Sequence, residues 1–157
     1  MALTHIQHFL VAADDIDATR DWYARVLQMR AGPHPDFGFP VHWMYAGDVD
    51  LIHIAQNARA ANDIQKVYLD RTSGDTGGGT GAIDHIAFNA TELRKTLEHL
   101  RAEGVEYKHR RASGQDLFQV FFYDPNGIKL ELNFAAAEAE GIQADLLATE
   151  LMHAAPR

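Results

Sequence analysis

Ala82-Ile83-Asp84-His85-Ile86-Ala87-Phe88-Asn89 is the stretch whose reading decides the fold of this chain. Its alternation predicts a strand with His85 on one face and Ile86 and Phe88 on the other. The pattern has occurred once before, in Ile6-Gln7-His8-Phe9-Leu10-Val11-Ala12, where His8 opposes Phe9 and Val11. The offset is 85 − 8 = 77 residues, and a helical pattern follows each copy. A second pair of strands repeats in the same way. Asp50-Leu51-Ile52-His53-Ile54 corresponds to Ile128-Lys129-Leu130-Glu131-Leu132, with an offset of 131 − 53 = 78. In both, a residue able to bind a metal stands between two aliphatic residues and so projects away from the face that packs on the helix. Two copies of one module therefore each offer two ligands, His8 with His53 and His85 with Glu131, and the repeat sets the fold.

The rest of each module follows outward from these strands. Asp14-Asp15 offers a helix N-cap, and Ile16, Thr19, Tyr23, Val26 and Leu27 recur at helical spacing. Residues 31–40 carry three prolines and two glycines and read as an aromatic loop. Strands are expected at 41–46 and 49–54, while 57–70 has some helical character and a possible strand at Val67-Tyr68-Leu69. Five glycines in the nine residues 73–81 form no phosphate loop, because no Gly-Lys-Ser/Thr ending opens a helix there. The run reads as a linker. The second module has a strand at 82–90, then a helix from Thr91 striped by Leu93, Leu97 and Leu100 and ending at Gly104. Strands at 105–109 and 117–123 follow, and Asp124-Pro125-Asn126-Gly127 turns the chain into the Glu131 strand. The expected organisation is a first module at 1–70, a linker at 71–81, a second module at 82–134 and a helical extension at 135–157. That extension has Ile142, Leu146, Leu147 and Leu151 at near-helical spacing.

Composition bounds the function. With 157 residues, 46% of them hydrophobic, the chain can bury a core. A net charge of −8, and no basic run longer than Lys108-His109-Arg110-Arg111, argue against nucleic acid as the main partner. Neither a membrane span nor a secretory leader is read, so the expected location is cytoplasmic. The absence of cysteine leaves nitrogen and oxygen to hold any metal. Of the nine histidines, His5, His34, His42, His99, His109 and His153 have no ligand-type repeat partner and read as surface or loop residues.

These motifs together resemble the vicinal oxygen chelate superfamily, which includes glyoxalase I, extradiol dioxygenases, methylmalonyl-CoA epimerase and the fosfomycin and bleomycin resistance proteins. The resemblance rests on the segment from His8 to Asp15, on Trp22-Tyr23-Ala24-Arg25-Val26-Leu27, on Asp84-His85-Ile86-Ala87-Phe88, and on Phe121 to Leu132 with its Asp-Pro-Asn-Gly turn. It implies an α+β fold of two tandem βαβββ modules forming a half-open barrel around one divalent ion, with His8, His53, His85 and Glu131 as ligands. Three imidazoles and one carboxylate suit Fe, Mn, Ni, Co or Zn, and ligand type does not choose among them. Family members chelate two neighbouring substrate oxygens and stabilise the charge that develops there, as an enediolate or enolate. The first expectation is a glyoxalase-I-like lyase or isomerase with Glu131 as proton-transfer base, since His53 stands where glyoxalase I usually has a glutamate. The second is an extradiol dioxygenase. There the family has a tyrosine ten residues before the glutamate and this chain has Phe121, leaving Tyr123, Tyr107 or His109 as substitutes. The third is a non-catalytic drug-binding protein. Among the enzymatic readings fosfomycin-type resistance ranks third, since Leu10 replaces its usual threonine two residues after the first histidine ligand. Candidate substrate contacts are Phe121, Tyr123, Lys108 and Arg110, and a homodimer is expected.

Overall fold

Asp15 opens the first helix as the N-cap rule requires, its side chain accepting the Ala18 N–H at 2.9 Å. That helix, α1 (Ile16–Val26), follows strand β1 (Phe9–Ala13) and precedes β2 (Arg30–Gly32), β3 (Val41–Ala46), β4 (Val49–Gln56) and a short helix α2 (Asp63–Tyr68). The computed structural model describes residues 6–57, 59–68, 81, 83–111, 116–144 and 146–147. The chain divides into two units, Met1–Gly78 and Gly79–Arg157.

In the first unit the strand order is β1-β4-β3-β2, with β1 parallel to β4 and the other pairs antiparallel. The stripe of α1 (Ile16, Thr19, Tyr23, Val26) is buried against this sheet, where Met44, Ile52 and Ile54 are fully buried. Each such side chain stabilises the unit by about 1.5–3 kcal/mol.

The second unit repeats the order: β5 (Ile86–Asn89), α3 (Leu93–Ala102), β6 (Lys108–Arg111), β7 (Leu117–Tyr123) and β8 (Lys129–Ala135). A 3-10 helix (Ala136–Ala139) and β9 (Leu146–Leu147) follow, giving the strand order β5-β8-β7-β6-β9. Two βαβββ modules are thus present, each on an open sheet. The repeat extends to register. Leu10 lies opposite His53, and Ala87 lies opposite Glu131, with 10 + 77 = 87 and 53 + 78 = 131. The helices begin 93 − 16 = 77 residues apart.

Several expectations are corrected. The proline-rich loop begins only after an edge strand, β2, where three residues suffice to pair with β3. The possible strand at residues 67–69 is helical through residue 68, and Leu69 lies outside the described residues. Residues 71–80 of the linker also lie outside them. Helix α3 starts after Thr91. Glu92 adopts a left-handed φ of 65° and makes no side-chain cap, so the Leu93 N–H donates to Glu138 Oε2 at 2.9 Å instead. Its end is as expected. Gly104 has φ 67°, with Val105 N–H donating to Leu100 O and Gly104 N–H to Arg101 O, a Schellman closure. The expected C-terminal helix is absent over the described residues, where the chain makes one 3-10 turn and then pairs β9 in parallel with β6. Residues 148–157 lie outside them. His109, expected at the surface, is buried on β6.

Candidate metal centre

The turn that delivers Glu131 is built by Asp124. Its buried carboxylate accepts the Asn126 and Ile128 N–H groups at 2.8 and 2.7 Å, while Gly127 takes the left-handed conformation. Strands β7 and β8 are thereby locked in a register that pairs Phe121 with Glu131 and Gln119 with Asn133. Directly paired residues share a face, so Gln119, Glu131, Asn133 and Phe121 lie together on the face opposite the core. Lys108 and Arg110 join it by pairing with Phe121 and Gln119.

Glu131 is only 5% exposed. An ionised carboxylate so buried needs partners. Its Oε1 accepts the Gln119 Nε2–H and the Asn133 Nδ2–H, both at 2.8 Å, and its Oε2 faces His85 Nε2 at 3.1 Å. The amides cannot turn over freely. Gln119 Oε1 accepts Arg110 Nε–H at 2.8 Å and Asn133 Oδ1 accepts from Gln119 at 3.0 Å, which leaves both N–H ends pointed at Glu131. His85 in turn meets Asp84 Oδ1 through Nδ1 at 2.7 Å. Lys129 donates to the same oxygen at 2.8 Å, and this bond first, then that to His85, holds the Asp84 carboxyl below its ordinary range.

In the first unit His8 and His53 are brought together as stacked rings, centroids 3.8 Å apart. Trp43, which pairs with His53 across β3 and β4, stacks on its other face at 4.1 Å and 3°. With 43 + 78 = 121 and 53 + 78 = 131, Trp43 occupies the position of Phe121. His53 Nε2 bonds Asp50 Oδ2 at 3.0 Å, so while that bond stands its free nitrogen is Nδ1. Burial lowers the pKa of His53, and the bond to His53 lowers that of Asp50.

The His85–Glu131 pair has the spacing of two ligands on one divalent ion. Two ligands about 2.1 Å from one ion, at right or tetrahedral angles, stand about 3.0–3.4 Å apart, and His85 Nε2 and Glu131 Oε2 stand at 3.1 Å. Each unit also supplies a carboxylate against the far nitrogen of one histidine, the arrangement that orients metal-bound imidazoles. Among the described residues no group of three or more such side chains is gathered as a metal cluster, and the four candidates come as two pairs, one per unit.

Phe121, Tyr123, Lys108 and Arg110 all line one cavity of ≈ 880 Å³ in the second unit, together with His85 and Lys129. Phe121 lies between two cations, with the Arg110 guanidinium 4.9 Å and Lys129 Nζ 5.6 Å from its ring centre. Tyr123 is at the strand end and 61% exposed. His109 pairs with Val120 and therefore sits on the face away from Glu131. Sequence reasoning missed Gln119, Asn133, Asp84 and Asp50. The first two were accessible in principle, since period-two alternation about the 124–127 turn places 119, 131 and 133 on one face.

The family described as the Glyoxalase/Bleomycin resistance protein/Dioxygenase superfamily matches residues 5–132. Among solved structures, lactoylglutathione lyase from Agrobacterium tumefaciens is 18% identical, with a TM-score of 0.60 over 85% of this chain and 96% of that one. The fosfomycin resistance protein FosX from Listeria monocytogenes is 17% identical, with a TM-score of 0.61 over 85% and 95%. TnmS3, an antibiotic binding protein from Streptomyces sp. CB03234, is 16% identical, with a TM-score of 0.62 over 86% and 98%. At these identities the likeness is one of fold. No match was found among curated proteins. Among the described residues no helix is long and apolar enough to cross a membrane.

Proposed function

Since the chain belongs to the Glyoxalase/Bleomycin resistance protein/Dioxygenase superfamily, we propose that it is a divalent-metal-dependent lyase or isomerase of the glyoxalase I type, with His8, His53, His85 and Glu131 as ligands. When bound, such an ion supplies Lewis-acid polarisation of two adjacent substrate oxygens. The observation that carries the reading is the asymmetry of Glu131. One oxygen is held by two amides and the other faces His85. The two amides keep the carboxylate anchored. Oε2, the oxygen beside His85, would be the ligand atom and, with its bond to the ion loosened, the base that takes a proton from the carbon beside a polarised oxygen and returns it to the neighbouring carbon. Gln119 and Asn133 stay in place throughout, so the base is restored without rearrangement.

Phe121 opposite Glu131 offers no phenol, which weighs against ring cleavage of a catechol. A second reading, a small-molecule binding protein without turnover, draws support from the aromatic cavity of the first unit. The test is to strip the protein of metal, reload it separately with Fe(II), Mn(II), Ni(II) and Zn(II), and assay hemithioacetals and catechols with and without air. Oxygen-independent isomerisation, abolished in Glu131→Gln, is expected. Oxygen uptake with a catechol, confined to Fe(II) or Mn(II), would favour the dioxygenase, and no turnover with any metal would favour the binding protein.

A further inference from the structure

The ligand-bearing faces of the two sheets differ in chemistry. In the second unit that face carries Lys108, Arg110 and Lys129 on its cavity wall. The cavity of the first unit, ≈ 370 Å³, is walled by Leu10, Phe37, Phe39, Val41 and Trp43, and no lysine or arginine lines it among the described residues. Its single carboxylate, Asp50, is engaged with His53. In the metal-free protein an anionic group placed there would lose its hydration and meet no lysine or arginine, only the Gln7 amide and the His8 and His53 rings among polar side chains besides Asp50. A cavity of about 150 Å³ holds a benzene ring, so this one accepts a bicyclic group.

The wall is also fixed in advance. Pro33, Pro35 and Pro40 restrict the loop backbone. Tyr45 donates its hydroxyl to Pro33 O at 2.7 Å, and the Asp36 carboxylate accepts Gly38 N–H at 2.9 Å. Gly32 makes the first of these possible, because a Cβ there would lie 2.5 Å from the Tyr45 ring. Phe37 is thereby held 5.7 Å from Phe39 and 6.1 Å from Trp43, centre to centre, and Phe37 and Trp43 remain only partly buried. Half-exposed flat rings on a pinned loop present a surface for stacking at little ordering cost.

We propose that this cavity, between residues 33–39 and the His8/His53 face of the first sheet, is a subsite for a planar, uncharged aromatic portion of the substrate, up to two fused rings in size. The proposal rests on the reading above for taking this cavity as part of the substrate site, whereas binding there requires no metal.

The test is calorimetric titration of the full chain, metal-free and Ni(II)-loaded, with 2-naphthol, its saturated decahydro counterpart and 2-naphthoate. The metal-free protein should bind 2-naphthol, and the other two about tenfold more weakly or worse. Phe37→Ala, on the loop outside any helix or strand, should weaken 2-naphthol about tenfold with the fold intact, and Trp43→Leu provides a second, independent variant. The subsite is refuted if 2-naphthol does not bind the metal-free form, if 2-naphthoate binds that form as tightly, or if neither substitution matters. Naphthol binding in a protein that takes up no metal would sink the metal reading and leave the subsite standing. Metal uptake without naphthol binding would do the reverse.

Discussion

Glu131 shows how a repeat position becomes a chemical group. The sequence places it in the register of His53, but its geometry comes from Gln119 and Asn133, the first amide oriented by Arg110 and the second by Gln119. Alternation about the 124–127 turn places both on the Glu131 face, but nothing in the sequence marks either amide as its partner. The ligand types were legible, because 77- and 78-residue offsets repeat them. Asp84 tests the supporting role most cleanly, since its carboxylate touches His85 Nδ1 and Lys129 but not Glu131. Asp84→Asn is expected to weaken metal binding about 10- to 100-fold, the usual effect of losing a partner to a metal-bound histidine, with little change in melting because the side chain is exposed. Competition titration against a chelator measures this.

The helix starts divide at the scale of the element. Asp15 caps α1 from the adjacent position, so the cap was readable locally. The cap of α3 comes from Glu138, 45 residues away on the 3-10 helix, and no local pattern could show it. Asp15→Ala and Glu138→Ala should each cost about 1 kcal/mol, seen as a drop of about 2–4 °C in melting temperature. Glu138→Ala should in addition loosen the 3-10 helix from α3, detectable as faster amide exchange at Leu93. Edge strand β2 was hidden by the prolines beside it, yet it sets the aromatic loop in place. Gly32→Ala is expected to push the Tyr45 ring aside, release Pro33 O and weaken 2-naphthol binding as much as Phe37→Ala does. Unchanged affinity in Gly32→Ala would mean that the loop is not held by Tyr45.

For the whole molecule, the repeat predicted two modules of like order and like register, and both are present. Over residues 135–144 and 146–147 a 3-10 turn and a two-residue strand stand where a helix was expected, because near-helical spacing of a few apolar residues does not by itself secure a helix. Apolar side chains remain at the surface, with Val67 81% and Ile64 56% exposed on α2 and Ile83 63% exposed before β5. They support the proposal of a homodimer. Light scattering is expected to give twice the chain mass, and a monomer at micromolar concentration would remove that expectation. The account as a whole depends on metal binding, and elemental analysis of the Ni(II)-reconstituted chain beside its His85→Ala and Glu131→Gln variants tests this most directly. The account predicts one ion per chain in the parent and loss of bound metal in both variants. Full metal content retained in both would contradict it.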